Sequence, residues 1–436
     1  MKWLKRLAII LGLLAGIAFV IPFLVPVKQY IPALQKLASE RLGEPVAITH
    51  LKFALLPLPS VTVEGVLIGQ AQDVRVGAVT VRPDVLSLLS EVKVIRAVEV
   101  EGVDVDKALL ERIPRWTKSE PGPKTVVVRR VEARAVQVAL DNFRWGPLRA
   151  EVRLDEAGVR AVEAGTEDRR LTVNLVPEGE AYQLNIQGKH WPLPVNPPIQ
   201  FDELSGNGTL SAHALDLPQI DGKLYGGELR ATSRVNWKDG IRIKGDARVA
   251  GVEIGPIVQM LNKSTALSGR LHANGNYALG AKNASQLGDS LRASFKFEVR
   301  KGVLYNFDLA TAVRTLAREG TRGGQTSFNQ LSGTVTLIGK HTQLRNLRVA
   351  SGLLQANGNV DIAANKKLSG MVNVEMTGTA SLVSVPLDVS GTLQSPVLFP
   401  NIAALTGAAV GTGLMGPGFG TGVGVKAGEA LDKFFK

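Results

Sequence analysis

The stretch Leu229-Arg-Ala-Thr-Ser-Arg-Val-Asn-Trp-Lys-Asp-Gly-Ile-Arg-Ile-Lys-Gly-Asp-Ala-Arg-Val249 decides the fold of this chain. Leu229, Ala231, Ser233, Val235 and Trp237 fall on one parity, and Arg230, Thr232, Arg234, Asn236 and Lys238 on the other. After the turn Lys238-Asp239-Gly240, Ile241, Ile243, Ala247 and Val249 alternate with Arg242, Lys244, Asp246 and Arg248. Successive side chains of a strand point to opposite faces, so a period of two means a sheet with one apolar and one polar face. The same pattern returns at Phe295/Phe297/Val299, Val335/Leu337, Val360/Ile362 and Val372/Val374/Met376. An apolar face has to be covered by something, and little helix is available to cover it.

Composition agrees with many short strands. Of 436 residues, 45% are hydrophobic, 5% aromatic and 46 are glycine, which suits strands joined by tight turns. There is no cysteine, which excludes disulfides, thiolate metal sites and a cysteine nucleophile. The net charge of +12 points to an anionic partner or surface. Nucleic acid is not expected, because no binding motif and no interleaved aromatics accompany the basic residues. Anionic lipid head groups are the alternative partner.

The N-terminus predicts an address. Leu7 to Val27 carries no charge and follows Lys2, Lys5 and Arg6. About 20 apolar residues span a bilayer, and flanking basic residues stay cytoplasmic. A signal anchor over 1–30 is therefore expected, with the bulk of the chain exported. A cleaved signal peptide fits less well, because Val27, Lys28 and Gln29 offer no small-x-small cleavage site.

A helix is expected over Pro32 to Leu42, followed by strands that make a β-rich module of 31–113. Asp84 is placed to cap a small helix running to Leu89. Pro114 to Lys124 reads as a linker before a middle β-rich module of 124–200. A second proline-rich joint lies at Trp191 to Pro198, ahead of a β-groove module of 201–400. Within that module Leu-Ser-Gly recurs at 204–206, 267–269, 331–333 and 368–370, and Ala-Asn-Gly-Asn recurs at 273–276 and 356–359. Such recurrence suggests one supersecondary unit reused along a growing sheet. Helices are expected at Pro256 to Leu261 and Phe307 to Glu319, the latter with Leu309, Ala312, Val313 and Leu316 on one face. A Gly/Ala-rich tail, 401–436, closes the chain.

No catalytic constellation stands out. The histidines 50, 190, 213, 272 and 341 have no metal-ligand spacing, and neither a nucleophile elbow nor a Walker A sequence occurs. Gly411 to Gly416 matches G-x-G-x-x-G but sits in a glycine-rich tail without the strand-turn-helix context. The expectation is a protein that is not an enzyme and carries no cofactor.

Three stretches carry a family resemblance. "ALLPLPSVTVEGVLIG" (Ala54–Gly69), "VRPDVLSLLS" (Val81–Ser90) and "VEVEGVDV" (Val98–Val105) resemble the N-terminal region of the AsmA-like family of Gram-negative bacteria. "FEVRKGVLYNFDL" (Phe297–Leu309), the run from Gly323 to Ile362 and "VPLDVSGTLQSPVLFPN" (Val385–Asn401) are similar to its C-terminal region. The resemblance implies a single-pass inner-membrane protein, mostly periplasmic and related to bridge-like lipid transfer proteins. The implied fold is mainly β with a few short helices (α+β): a transmembrane helix followed by an elongated, curled antiparallel sheet with a groove. The implied partner is phospholipid, whose acyl chains would lie on Val235, Trp237, Ile241, Ile243, Val249, Phe295, Phe297, Val335, Leu337, Val360, Ile362, Val372 and Val374. Arg314, Arg318 and Arg322 would meet head groups. About 25 strands at 4.8 Å reach about 120 Å, which makes a complete bridge across an envelope doubtful. Two alternatives compete with a groove: a dry sandwich of two sheets, and an assembly factor that binds outer-membrane or envelope protein segments at a free sheet edge.

Overall fold

The computed structural model describes residues 27–56, 58–70, 74–105, 126–140, 143–155, 158–195, 197–262, 267–282, 286–315, 322–352, 354–377 and 382–401. The protein is mainly β, with 22 strands and a few short helices among the described residues. It divides into two compact units: residues up to Gly188 with Thr209–Ser211, and Lys189–Gly208 with everything from Ala212. No helix among the described residues is long and apolar enough to cross a membrane. The expected span lies outside the described residues apart from its last residue, Val27, as do the linker over 114–124 and the tail beyond Asn401.

In the first unit, α1 (Ile31–Leu42) starts with a proline in its first turn and stops at Gly43, whose φ of 68° is the left-handed conformation that ends helices. Ala38 and Leu42 pack on Val46, Val66, Ile68 and Val74. These belong to β1 (Val46–Ala54), β2 (Ser60–Ile68) and β3 (Val74–Pro83), which pair in antiparallel order with β4 (Lys93–Val105). Asp84 does cap a local turn: its Oδ1 accepts from the Leu86 N–H at 3.1 Å, and a single 3-10 turn, Leu86–Leu89, follows.

The next step departs from the expected antiparallel pattern. Both β5 (Val126–Val128) and β6 (Arg130–Leu140) run parallel to β4, with Val98 opposite Val131 and Val103 opposite Val136. Antiparallel pairing then resumes through β7 (Phe143–Asp155), β8 (Gly158–Thr166), β9 (Leu171–Glu178) and β10 (Ala181–Leu193). A parallel step needs a chain return of a dozen or more residues where a hairpin needs two. The 20 residues between β4 and β5 provide that length. Pairing of β10 with β9 ends at Gly188, so Pro192 falls beyond the β9 ladder and the unit boundary lies just before the proline-rich joint.

The register lines up single-character rows across this unit. Phe53, Val61, Val81, Val98, Val131, Val152, Val162, Leu175 and Leu184 stand opposite one another in turn from β1 to β10. All but Leu184 are only half-buried. On the opposite face Glu99, Glu132, Glu151 and Glu163 form a second row. Stacked like charges repel, and arginines between them neutralise the row. Arg82 reaches Glu99 at 2.9 Å, Arg134 reaches Glu132 at 3.0 Å, Arg153 reaches Glu151 at 2.8 Å and Arg149 reaches Glu163 at 2.7 Å.

In the second unit, β11 (Ile199–Leu210) and β12 (Ala214–Leu224) lead into β13 (Gly227–Asn236), β14 (Ile241–Glu253), β15 (Arg270–Ala281), β16 (Arg292–Tyr305), β17 (Gln325–Ile338), β18 (His341–Ser351), β19 (Leu354–Ile362), β20 (Leu368–Thr377), β21 (Leu382–Gly391) and β22 (Pro396–Pro400). From β12 to β22 each strand pairs antiparallel with the next. This is one sheet over that span and not two stacked ones. It curls enough for Val299 of β16 to share a core with Val374, Val385 and Leu387 from β20 and β21. Those four side chains are at most 2% exposed, and burying each contributes roughly 1.5–3 kcal/mol.

Two helices close against this core. α2 (Ile254–Asn262) brings Ile254 to it, and α3 (Leu309–Thr315) brings Leu309, Ala312 and Val313. α3 starts at Leu309, two residues after the expected start at Phe307, and residues 316–319 lie outside the described residues. Its start is fixed by Asp308, whose Oδ1 accepts from the Thr311 N–H at 2.8 Å. The buried Thr326 hydroxyl donates to the Phe307 carbonyl at 2.7 Å and accepts from the Leu309 N–H at 3.1 Å, so no polar group there is left unpaired.

Candidate functional site

Alternation puts Phe295, Val335, Leu344, Val360, Gly370, Val389 and Leu398 opposite one another in one row from β16 to β22. A parallel row runs Leu271, Val299, Leu331, Val349, Ala356, Val374 and Val385. Because the sheet curls, these rows enclose a cavity of about 560 Å³, partly open to solvent. Ile254 and Val258 of α2 and Leu309 of α3 also border it. Among the described residues lining it, Asn357 is the only polar one; its side chain belongs to the opposite parity from Ala356.

Of the thirteen residues expected on an apolar groove, Val249, Phe295, Phe297, Val335, Val360, Ile362 and Val372 line this cavity. The other six lie elsewhere. Val374 is fully buried in the core. Leu337 stands near the end of β17, opposite Ala293 and Thr342. Val235 pairs with Leu215 and Ile243. Trp237 lies just past the end of β13, with its indole N–H donating to the Ala212 carbonyl at 3.0 Å. Ile241 and Ile243 border a separate cleft at the start of β14. Of the expected head-group arginines, Arg322 is exposed, Arg318 lies outside the described residues, and the Arg314 side chain does too.

Leu344 and Leu347 both line the cavity, although three residues apart they should face opposite ways. A β-bulge explains this. Leu344 stands opposite Val360 and Leu347 opposite Gly358, so Arg345 and Asn346 together face the single residue Asn359. Asn346 takes φ 52°, and its N–H donates to the Asn359 side chain at 2.9 Å. Arg345 is turned outward, where it binds Asp361 at 2.7 Å. The adjacent asparagine-bearing Gly358-Asn359 was visible as a repeat in the sequence, but the bulge it stabilises was not.

The charged groups sit on the polar face. Arg300 beside Glu298, at 2.6 Å, holds that carboxyl below its usual range. Asp216 beside Arg234, at 2.6 Å, raises the guanidinium's pKa further. In the first unit burial pushes Glu132 up, but hydrogen bonds from Arg130 and Arg134 outweigh it and hold the carboxyl below its usual range. No group of three or more histidines and carboxylates among the described residues is placed to hold a metal ion.

The fold and cavity together define a mainly β protein with consecutively paired strands and an apolar interior in its second unit. No protein-family model, curated protein or solved structure matches the chain.

Proposed function

We propose that this chain is a non-enzymatic lipid-handling protein that holds phospholipid acyl chains in the cavity of its second unit. The observation that carries the reading is a space of about 560 Å³ with a single polar lining residue. Ligand pockets run from about 300 to 1,000 Å³, and an engineered apolar cavity of about 150 Å³ already stays dry and takes up benzene. The cavity is partly open, so without a ligand its apolar walls face water, and an apolar occupant takes that carbon out of water. A flexible chain fits a curled surface with no polar anchor.

The resemblance to the AsmA-like family points the same way. In this reading Leu7 to Val27 anchors the chain in the inner membrane, and the sheet works on the periplasmic side in envelope homeostasis. The competing reading, strand addition at a sheet edge, is weaker at β22. Pro396 and Pro400 at its two ends have no N–H to offer an incoming strand.

A photo-reactive residue in place of Val360, with a second at the core position Val374 as control, tests the reading. Adducts carrying acyl chains from position 360 alone support it. Polypeptide adducts without lipid would sink it.

A further inference from the structure

We propose that the polar face of the second unit carries a separate site for the phosphate of anionic phospholipid head groups, at the end of the sheet where β14 and β16 begin. This deepens the lipid reading and rests on it, but it concerns other residues on a cleft other than the cavity. The cleft has a volume of about 950 Å³ and is bordered by Arg242, Lys244, Lys282 and Arg292. None of these four side chains has a hydrogen bond or ion pair among the described residues. Of the acids beside them, Asp289 is bound to Lys340 at 2.9 Å, and Asp239 is exposed. Arg234 also borders the cleft but is held by Asp216.

Register makes the arrangement more pointed. Lys244 lies directly opposite Arg234, and on the same face Arg248 lies directly opposite Arg230. Cross-strand like charges destabilise a sheet. The glutamate row of the first unit shows how this chain offsets such repulsion when the role is structural: interleaved ions of opposite sign. Here Arg234 and Arg230 are paired with Asp216 and Asp221, at 2.6 and 3.9 Å, but Lys244 and Arg248 opposite them have no acidic partner among the described residues, and an anionic ligand would supply one.

The walls argue for a lipid over a soluble anion. Ile241, Ile243, Leu279 and Leu291 border the same cleft, and Ile338, 50% exposed, stands directly opposite Arg292. Cations beside exposed aliphatic carbon match an amphiphile. No lining residue is aromatic, which disfavours nucleic-acid bases.

The experiment uses the full chain in neutral detergent with short-chain phosphatidylglycerol, short-chain phosphatidylcholine or inorganic phosphate as probe, followed by calorimetry. The triple variant Arg242→Gln/Lys244→Gln/Arg292→Gln should bind phosphatidylglycerol about fivefold more weakly per cation removed. Its phosphatidylcholine binding should not change, and Arg348→Gln, elsewhere on the polar face, should behave as the parent. Equal phosphatidylglycerol affinity in parent and triple variant would overturn the site. Full competition by inorganic phosphate at equal affinity would overturn the lipid as its ligand. All substituted side chains are exposed, and neither outcome depends on whether position 360 crosslinks to acyl chains.

Discussion

Val335→Asp puts a carboxylate in the middle of the cavity and makes its occupancy measurable. Val335 is half-buried between Phe295 and Leu344, its direct neighbours on β16 and β18. With the cavity delipidated and wet, the new carboxylate meets solvent and titrates in the usual range. With an acyl chain above it, that solvent is excluded, and burial raises the carboxyl's pKa. A rise of about three pH units in the midpoint corresponds to about 4 kcal/mol. The sign follows from proton linkage: the loaded folded state then binds more protons than the unfolded chain, so its stability falls as pH rises above the ordinary aspartate range. Lipid loading itself raises the denaturant midpoint, and that gain should be full near pH 4 and smaller by about 4 kcal/mol at pH 7. Loss of co-purifying lipid at neutral pH, with recovery in acid, would accompany this. A gain that is the same at pH 4 and pH 7, together with unchanged lipid content, would refute the idea that acyl chains lie against Val335.

Three further outcomes follow from the packing. Deleting Asn346 should keep Leu344 and Leu347 on the cavity face and change stability by about 1 kcal/mol or less, whereas deleting Arg348 turns the buried Val349 to the polar face and costs at least its burial, roughly 1.5–3 kcal/mol; chemical denaturation compares them. Thr326→Val leaves the Phe307 carbonyl and Leu309 N–H unpaired in a buried setting, so a loss of about 2–4 kcal/mol is expected in the same assay. The depressed pKa of Glu132 contributes stability that is present above the ordinary glutamate range and lost as pH falls below it; in Glu132→Gln the acid limb of the pH–stability curve should be flatter.

Much of the strand content is legible from alternation alone, because parity is a local property. Residues 229–249 fold as read: two strands about a Lys238-Asp239-Gly240 turn. What alternation cannot give is position along a row or the curl of the sheet. Val374 and Val372 look equivalent in sequence, two residues apart on one strand, yet Val374, opposite Val385, is fully buried while Val372, opposite Leu387, lines the cavity. Ile243 has the parity of Phe295 but stands toward the other end of its strand, next to the basic cleft. Leu344 and Leu347 were hidden by a bulge that breaks the period. The glutamate row depends on three pairings, one of them parallel, and no local pattern encodes it.

The pairing scheme also bears on how the chain assembles. Outside one step, each described pairing joins sequence neighbours, most through a short connection and β14–β15 and β16–β17 through 16 and 19 residues that include α2 and α3, so a hairpin can form early and serve as the template for the next strand. Loop closure is cheap at every such step and rates follow contact locality. The β4–β6 pairing is the exception, because 24 residues separate Val105 from Arg130. That junction is where a nascent first unit would stall with two unpaired strand edges exposed. It is therefore the place where a chaperone, or a slow kinetic phase, would act.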